Sequence, residues 1–378
     1  MKIGFLTSYF YPFMGGLESN CYYLARELAK EHAVHIFTSD RKNGMILKKK
    51  EEIIDGIHVH RSKNWFRYRY YIALNPGLLF KVLKSDLDVL HVHSLGFIWH
   101  DFIVFLKKLF SRTKLINTPH GPFMALKDYN SLANIYKFIL RSIEKVLNML
   151  YDGAIEVNDS QYIWLVKTGF KKQNIFFVPN GIPKDTFKRI DVNVKNKYGI
   201  DNKLVISYIG RVQKYKGLDQ VIRVLPYFPD VVFVIVGEDA GDMDRLERIA
   251  RELRVMDRII FTGRVSTDEK YALLDVSKIF ILPSEWEAFG ISMLEAMARG
   301  NVIISTKTEG GKFLIKKDNG FLYNFGDIEE LKKILMQVLN DKERMDFLIE
   351  KNIKKSKEFL WEKNARKLEE VYKTIINR

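Results

Sequence analysis

The sequence LPSEWEAFGISMLEAMARG, residues 282–300, predicts the end of a buried strand, a loop, a helix and a closing glycine. The helix begins near Ile291, and because its first N–H groups have no acceptor within the helix, they are available to an anion such as phosphate. Gly290 allows the backbone to pass close to a ligand, and Gly300 is typical of a helix C-terminus. The stretch therefore indicates a ligand loop at the carboxyl end of a strand in an α/β sheet.

Two carboxylates lie in this stretch, Glu287 before the helix and Glu295 within it. We expect them at different depths of one pocket, where each carboxylate can accept hydrogen bonds from a pair of sugar hydroxyls. A plainer interpretation stays open, in which Glu287 is an exposed loop acid and Glu295 is an ordinary helical acid.

Strand patterns alternate with helical patterns along the whole chain, which predicts an α/β fold with two doubly wound, Rossmann-like domains. The predicted strands lie at 3–7, 34–38, 57–60, 89–93, 114–118, 154–157, 175–178, 204–208, 231–236, 259–262, 279–282 and 302–305. We expect a first domain at 1–183, a linker at 184–200, a second domain at 201–358 and a helix at 359–378 that packs back on the first domain. Because ligands of parallel sheets bind beyond the carboxyl ends of the strands, we expect the functional site in a cleft between the two domains.

Composition narrows the class of protein. The 378 residues suggest about two domains, and 47% hydrophobic with 28% charged residues excludes a disordered or collagen-like chain. Cys21 is the single cysteine, which excludes an internal disulfide and fits the cytoplasm. The run at 1–7 is typical of a first strand rather than of a signal peptide. Charged residues and histidines interrupt the apolar stretch 87–106, which argues against a transmembrane helix.

The net charge of +15 is concentrated in the first half of the chain. Such a charge suits nucleic acid, anionic lipid headgroups or phosphorylated substrates, or it serves only solubility, and these interpretations stay open. Residues 65–71, WFRYRYY, interleave aromatic and basic side chains as a membrane-interface surface does. The other interpretation of this segment is an exposed loop that packs partly on its own domain.

Further candidate residues follow predicted strands. Gly15 and Gly16 precede a helix, where the backbone either approaches an anion or only joins the strand to the helix. Their spacing does not match the GxGxxG pattern of nicotinamide-binding domains. His120 lies on a tight turn, where it either donates to a phosphate or sugar hydroxyl or acts as an acid or base. Arg211 and Lys216 suit a diphosphate whose charge grows as it leaves.

Taken together, these residues give a chain that resembles the family-4 retaining glycosyltransferases, which have the GT-B fold of two Rossmann-like domains facing each other across a cleft. The most specific part of the resemblance is the E-x7-E motif, which implies that Glu287 contacts donor-sugar hydroxyls and that Glu295 holds the ribose. The resemblance also implies a diphosphate clamp (Arg211, Lys216), a phosphate-binding backbone (Phe289, Gly290, Ile291), a cleft histidine near the donor sugar (His120), a glycine loop (Gly15, Gly16) and a backbone segment beside the nucleobase (Gly263, Arg264, Val265).

The family implies transfer of a hexose-type sugar from a nucleoside diphosphate sugar to a hydroxyl of a glycan or lipid-linked acceptor, with the anomeric configuration retained. Arg211, Lys216 and a helix N-terminus would stabilise the departing diphosphate, and the residues identify no nucleophile. No metal or other cofactor is expected, since the Asp-x-Asp pairs at 86–88 and 242–244 are interpreted as structural aspartates that cap helices or turns. We expect a cytoplasmic enzyme, with the further hypothesis of peripheral contact with an anionic membrane at the inner face of the cell membrane.

Two other functions stay open. A sugar-nucleotide 2-epimerase of the same two-domain architecture would bind the same donor and need no acceptor. A basic nucleic-acid-binding protein is the second alternative, but no recognition helix, zinc pattern or aromatic sheet motif supports it, so no nucleic-acid partner is expected.

Overall fold

The computed structural model describes residues 1–42, 44–68, 72–94, 97–120 and 145–378. Its internal contacts divide the chain into two units, one formed by Met1–Asn180 with Trp361–Arg378 and the other by Gly181–Leu360. Each unit is built on a largely parallel sheet with helices between the strands, which confirms the predicted α/β class.

The first unit contains an eight-stranded sheet and two short hairpins. Its strands are β1 (Lys2–Leu6), β2 (Ala33–Ser39), β3 (Arg41–Lys42), β4 (Met45–Ile46), β5 (Glu51–Ile54), β6 (Ile57–Ser62), β7 (Phe66–Tyr68), β8 (Ile72–Leu74), β9 (Val89–Val92), β10 (Lys114–Asn117), β11 (Gly153–Glu156) and β12 (Ile175–Phe177). The sheet order is β12-β11-β10-β9-β1-β2-β6-β5, and its pairs are parallel except for β5 with β6. The hairpins pair β3 with β4 and β7 with β8, and the sequence patterns did not predict them.

The second unit contains one fully parallel six-stranded sheet. Its strands are β13 (Leu204–Ile209), β14 (Val231–Val236), β15 (Ile259–Gly263), β16 (Ser277–Leu282), β17 (Val302–Thr306) and β18 (Gly320–Tyr323). The order β15-β14-β13-β16-β17-β18 reverses between β13 and β16. In doubly wound sheets this reversal opens a crevice at the carboxyl ends of the two strands, and nucleotides bind there.

The described helices alternate with these strands. They are α1 (Gly16–Leu28), α2 (Pro76–Lys84), α3 (Ile98–Phe110), α4 (Gln161–Lys167), α5 (Val194–Tyr198), α6 (Leu218–Val224), α7 (Met243–Glu252), α8 (Thr267–Val276), α9 (Ile291–Ala298), α10 (Glu309–Leu314), α11 (Ile328–Asn340), α12 (Lys342–Ser356) and α13 (Trp361–Ile376). None of them is long and apolar enough to cross a bilayer.

Burial explains why these residues form these strands. Every residue of β14, VVFVIV, is buried, because a parallel strand covered by helices on both faces must be apolar throughout. In the first unit, Leu6, Val92 and Ala154 share one core with Ile103 of α3 and Leu165 of α4. That core packs α3 and α4 against the sheet.

Helix α13 belongs to the first unit although it follows the second in sequence. Its Tyr372 hydroxyl lies 2.6 Å from Nδ1 of His91, and its Trp361 ring stacks on Tyr23 of α1 at 5.7 Å. The chain leaves the first unit after Asn180 and returns at Trp361.

The segment at 184–200, predicted as a linker, is not an extended connection. It forms a short 3-10 helix at Lys184–Phe187 and then α5. Val194 and Ile200 are buried in the core of the second unit, because they supply apolar cover for β13 and β14. The crossing between units lies ahead of this segment, at Asn180–Gly181.

Residues 66–68 of the aromatic and basic segment form β7, which pairs antiparallel with β8, rather than a plain loop. Trp65 and Phe66 are strongly exposed. Residues 69–71 lie outside the described residues.

Candidate active site

Two loops of the second unit meet at the reversal point of its sheet. Lys216 lies in the loop after β13, and Glu287 lies in the loop after β16. The amide of Glu285 donates to the Tyr215 carbonyl at 2.7 Å, which ties the loops together. Gly217 has a φ of 64°, and a Cβ there would lie 2.3 Å from the Pro283 carbonyl oxygen, so only glycine allows this close approach.

The loops bring Lys216 and Glu287 into contact. Nζ of Lys216 donates to Oε2 of Glu287 at 2.7 Å, and the two side chains are only 11% and 20% exposed. Burial alone would lower the pKa of Lys216, but the Glu287 carboxylate outweighs it and raises the pKa above its ordinary value. Lys216 is therefore a permanent cation beside a carboxylate, in a place with little water.

Arg211 lies on the same edge, directly after β13. Its backbone carbonyl accepts a hydrogen bond from the Tyr208 hydroxyl at 2.9 Å. Its guanidinium is exposed and makes no ion pair or hydrogen bond with the described residues. A second cation with uncommitted donors thus lies on this edge.

The loop before α9 is held from both sides. Gly290 has a φ of 83°, and a Cβ there would lie 2.4 Å from the Cε of Met293. Phe289 is buried against the rings of Phe313 and Phe359, and the amide of Gly310 donates to the Glu287 carbonyl at 2.9 Å. No side chain of the described residues caps the first turn of α9, which begins at Ile291. The amide of Met293 donates to the Gly290 carbonyl at 2.9 Å, and the first N–H groups of the turn are available to an anion.

Glu295 lies one helical turn deeper, within α9. It is buried, and its Oε1 accepts a hydrogen bond from Nζ of Lys270 at 2.6 Å, with the Tyr271 hydroxyl at 3.4 Å. Each glutamate of the E-x7-E motif therefore has its own lysine. Lys270 was not predicted from the sequence, because α8 and α9 meet only in the folded unit.

The segment predicted beside the nucleobase follows β15. Gly263 has a φ of 65°, and its carbonyl accepts a hydrogen bond from the amide of Gly237 at 3.0 Å. Arg264 pairs with Glu238 at 3.3 Å, but both are exposed, so the pair adds little stability. Val265 packs on the core below. Along the carboxyl edge of the sheet, the loop after β15 therefore comes first and the loops after β13 and β16 follow, with β14 between β15 and β13.

The glycine loop of the first unit leads into α1. Gly15 is the N-cap residue with extended backbone, and Gly16 has open space where a Cβ would be. Glu18 is buried in the first turn, and its Oε2 lies 2.6 Å from the position of a Cβ on Gly15. A carboxylate of the chain therefore already lies where the sequence predicted an anion, which makes this loop better suited to hydroxyl groups than to phosphate.

His120 follows β10 with a left-handed backbone, φ 59°. Its Nε2 lies 2.9 Å from Nδ1 of His93. The centroid of the His93 ring lies 4.4 Å from that of His91, with the two ring planes tilted by 36°. Burial lowers the pKa of His120 to about 3, so the ring is neutral at neutral pH. His120 is thus suited to hydrogen bonding, and the structure argues against the role of acid near neutral pH. The pattern His91-Val92-His93 at a strand end was the missed signal, since alternate residues share one face of a strand.

The two Asp-x-Asp pairs contact cations of the chain. Asp86 pairs with Nζ of Lys2 at 2.6 Å, and Asp88 accepts from the Lys2 amide at 2.7 Å. Asp242 binds Arg245 at 2.6 Å and does not cap α7 through its side chain. The capping interpretation is therefore wrong for Asp242. The described residues contain no group of three or more His, Cys, Asp or Glu side chains that could hold a metal ion.

Two family models match the sequence. Residues 14–186 match the model described as Glycosyltransferase Family 4, and residues 192–356 match Glycosyl transferases group 1. The chain is 27% identical over 358 residues to N-acetyl-alpha-D-glucosaminyl L-malate synthase of Bacillus anthracis, covering 91% of this chain and 88% of that protein. It is 24% identical over 318 residues to the phosphatidylinositol N-acetylglucosaminyltransferase gpi3 subunit of Schizosaccharomyces pombe, covering 81% of this chain and 66% of that protein.

Solved structures share the fold. Sucrose-phosphate synthase from Thermosynechococcus elongatus superposes with a TM-score of 0.83 at 18% identity, over 100% of this chain and 99% of that one. Anabaena Alr3699/HepE in complex with UDP and glucose gives a TM-score of 0.80 at 19% identity, over 99% and 100% of the two chains. These likenesses confirm the predicted GT-B fold class.

Proposed function

The chain belongs to the family 4, or group 1, glycosyltransferases, and from that premise we propose that it moves a hexose-type sugar from a nucleoside diphosphate sugar to a hydroxyl of a glycan or lipid-linked acceptor, with the anomeric configuration retained. One observation carries the proposal: the contact of Lys216 with Glu287 at the reversal point of the second sheet. It joins a cation for a leaving diphosphate to a carboxylate for sugar hydroxyls.

The leaving group is stabilised by charge. Arg211 and Lys216 supply two cations, and the uncapped first turn of α9 supplies backbone N–H groups on the same edge of the sheet. The diphosphate gains negative charge as the glycosidic bond breaks, so these groups bind the transition state more tightly than the ground state. Phe289, Gly290 and Ile291 contribute the backbone of this phosphate site.

The two glutamates orient the donor. Glu287 accepts hydrogen bonds from the sugar hydroxyls, and Glu295, beside Lys270 and Tyr271, accepts those of the ribose. The base lies along Gly263, Arg264 and Val265, because that loop continues the same edge of the sheet beyond β13.

The first unit contributes neutral polar groups. His120 exchanges a hydrogen bond with a sugar hydroxyl as the neutral imidazole, and its contact with His93 fixes the ring. Gly15 and Gly16 let the backbone approach a hydroxyl. No carboxylate is assigned as a nucleophile, so the acceptor attacks on the face that the diphosphate leaves. A trapped covalent glycosyl-enzyme would contradict this front-face mechanism.

No metal is required for this chemistry. Lys216, Arg211 and the helix N-terminus supply the positive charge that a divalent ion provides in other sugar transfers. Donor turnover should therefore be unchanged in excess EDTA. Loss of turnover that added magnesium or manganese restores would overturn this point.

The acceptors in the names of the relatives are L-malate and phosphatidylinositol, a small hydroxy acid and a phospholipid. We propose a cytoplasmic enzyme whose first unit touches an anionic membrane at the inner face of the cell membrane. The exposed Trp65 and Phe66, within the basic half of the chain, support that contact.

The first experiment incubates the protein with UDP-, GDP-, ADP- and TDP-sugars and measures release of the nucleoside diphosphate. One donor should be turned over slowly, and Glu287→Ala should abolish the release. Glu285→Ala, in an exposed acid of the same loop, is the matched control and should be near wild type. Isomerised donor without release would instead favour the 2-epimerase alternative.

A further inference from the structure

Helix α3 has one face that packs inside the first unit. Ile103 and Val104 are fully buried, and Nζ of Lys107 donates to the carbonyls of Val82 at 3.1 Å and Ser85 at 2.6 Å. These contacts tie the helix to the end of α2 and fix which of its faces points outward.

The outward face of α3 is apolar. Ile98, Phe102, Phe105 and Leu109 are 49%, 43%, 41% and 61% exposed, and their i, i+4, i+7, i+11 spacing forms one line along the helix, called here the apolar stripe. Lys108, the one charged residue of α3 that is not buried, is paired with Asp152. A helix that is apolar on both faces is not an ordinary water-facing helix.

Further exposed apolar side chains lie at the end of α3 and on neighbouring elements of the first unit. Phe110 ends α3 and is 76% exposed. Both α2 and β8 contact α3, α2 carries the exposed Phe80, and the β7–β8 hairpin adds Phe66. In the second unit, by contrast, no described helix carries more than one exposed large apolar side chain. Exposed apolar side chains on α3 and on the elements beside it indicate an interaction site.

Charge identifies the partner. Lys84 at the end of α2 and Arg112 just after α3 are exposed, and neither makes an ion pair with the described residues. Apolar side chains flanked by cations match the acyl and phosphate layers of an anionic bilayer. A second copy fits less well, since in a symmetric pair the same basic rim would face itself.

We infer that α3 is a membrane-docking helix, which lies in the plane of an anionic bilayer with its apolar stripe among the upper acyl chains. Its 13 residues span about 20 Å, so it lies on the membrane rather than across it. The inference deepens the membrane contact proposed above and rests on that part of the proposed function. In this arrangement α3 makes the main contact with the membrane, and the hairpin next to Trp65 makes a smaller, additional contact.

The test is sedimentation of the full chain with phosphatidylcholine vesicles that contain or lack phosphatidylglycerol. Wild type should pellet with the anionic vesicles and less so at high salt. Phe105→Gln combined with Leu109→Gln should lower the partition coefficient at least about tenfold, because two exposed apolar side chains leave the interface. Lys84→Gln with Arg112→Gln should lower it only on anionic vesicles.

The matched control is Met336→Gln with Phe347→Gln, two exposed apolar positions on α11 and α12 of the second unit. It should pellet as wild type does. Each variant should release nucleoside diphosphate from a soluble donor at the wild-type rate, which shows that it is folded and separates docking from catalysis.

Three outcomes overturn the inference: no sedimentation of the wild type, equal sedimentation of the stripe variant, or a dimer in solution that the stripe variant dissociates and that does not bind vesicles. If the wild type releases diphosphate but does not sediment, docking fails and sugar transfer stands. If it sediments but turns over no donor, docking stands and the proposed transfer fails.

Discussion

Replacing Lys216 with alanine tests the role of the Lys216–Glu287 contact. The lysine Nζ lies 2.7 Å from the carboxylate, and the pair is largely withdrawn from water, so its charge is weakly screened. Loss of one preorganised donor to an anionic transition state lowers kcat by about 100- to 1000-fold, or about 3–4 kcal/mol. We expect a fall of that size in release of nucleoside diphosphate, with a smaller change in KM because the charge grows on departure.

The same substitution leaves Glu287 without its partner, so its effect on folding must be separated from its effect on catalysis. Unfolding is measured for Lys216→Ala, Glu287→Ala and the double variant. Because the two side chains touch, their effects should not add, and the coupling should be about 1–2 kcal/mol in the free energy of unfolding. The diphosphate assay on the same three proteins then reports the catalytic part.

Lys214→Ala is the control, since Lys214 is an exposed lysine of the same turn. It should retain nearly full activity and stability. Lys216 does not stabilise the leaving diphosphate if Lys216→Ala keeps kcat within about threefold of wild type. The two side chains are not coupled if their substitutions add in the unfolding cycle.

Three further predictions concern single residues. In Gly290→Ala, the alanine must adopt a φ of 83°, and its Cβ would lie 2.4 Å from the Cε of Met293. The free energy of unfolding should therefore fall by about 1–2 kcal/mol, and nucleotide binding should weaken. Thermal melting and calorimetry measure the two effects, and an unchanged melting temperature contradicts the prediction. Because burial lowers the pKa of His120 to about 3, the pH profiles of kcat for wild type and His120→Asn should be parallel between pH 5 and 8. An inflection in the wild-type profile that is missing from the His120→Asn profile would contradict this prediction. Burial, and after it the Asp159 charge, raises the pKa of Glu156 to about 7, so the folded chain loses stability as pH rises from about 4.5 through 7. Glu156→Gln should therefore be more stable than wild type by about 1–3 kcal/mol at pH 8 but not at pH 4.5. Equal denaturant midpoints of the two proteins at pH 8 would count against this prediction.

The fold was largely predictable because buried parallel strands leave continuous apolar runs. The run predicted at 231–236 forms β14 at the same residues, and that at 204–208 forms β13 with one more residue. The hairpins at Arg41–Ile46 and at 66–74 have no such pattern, since their strands are two or three residues long and partly exposed. Strand β18 at 320–323 was not predicted either, because it is short and begins with a glycine.

The site was predictable only one loop at a time. The stretch at 282–300 indicated Glu287 and the start of α9, because glycine and helix signals are local. The partners Lys216 for Glu287 and Lys270 for Glu295 come from other loops and helices, and only the strand order of the sheet brings them close. The same holds for His93 behind His120.

The return of α13 to the first unit bears on how the chain is assembled during translation. The second unit is one continuous stretch and has all its residues once Leu360 has left the ribosome. The first unit must wait for 180 more residues after Asn180, since Trp361, Leu368 and Tyr372 fill its interior and Asn364 donates to the Asn180 carbonyl. Until then His91 lacks Tyr372 and Tyr23 lacks Trp361. The unit that is synthesised first is therefore expected to mature later and to depend more on chaperones.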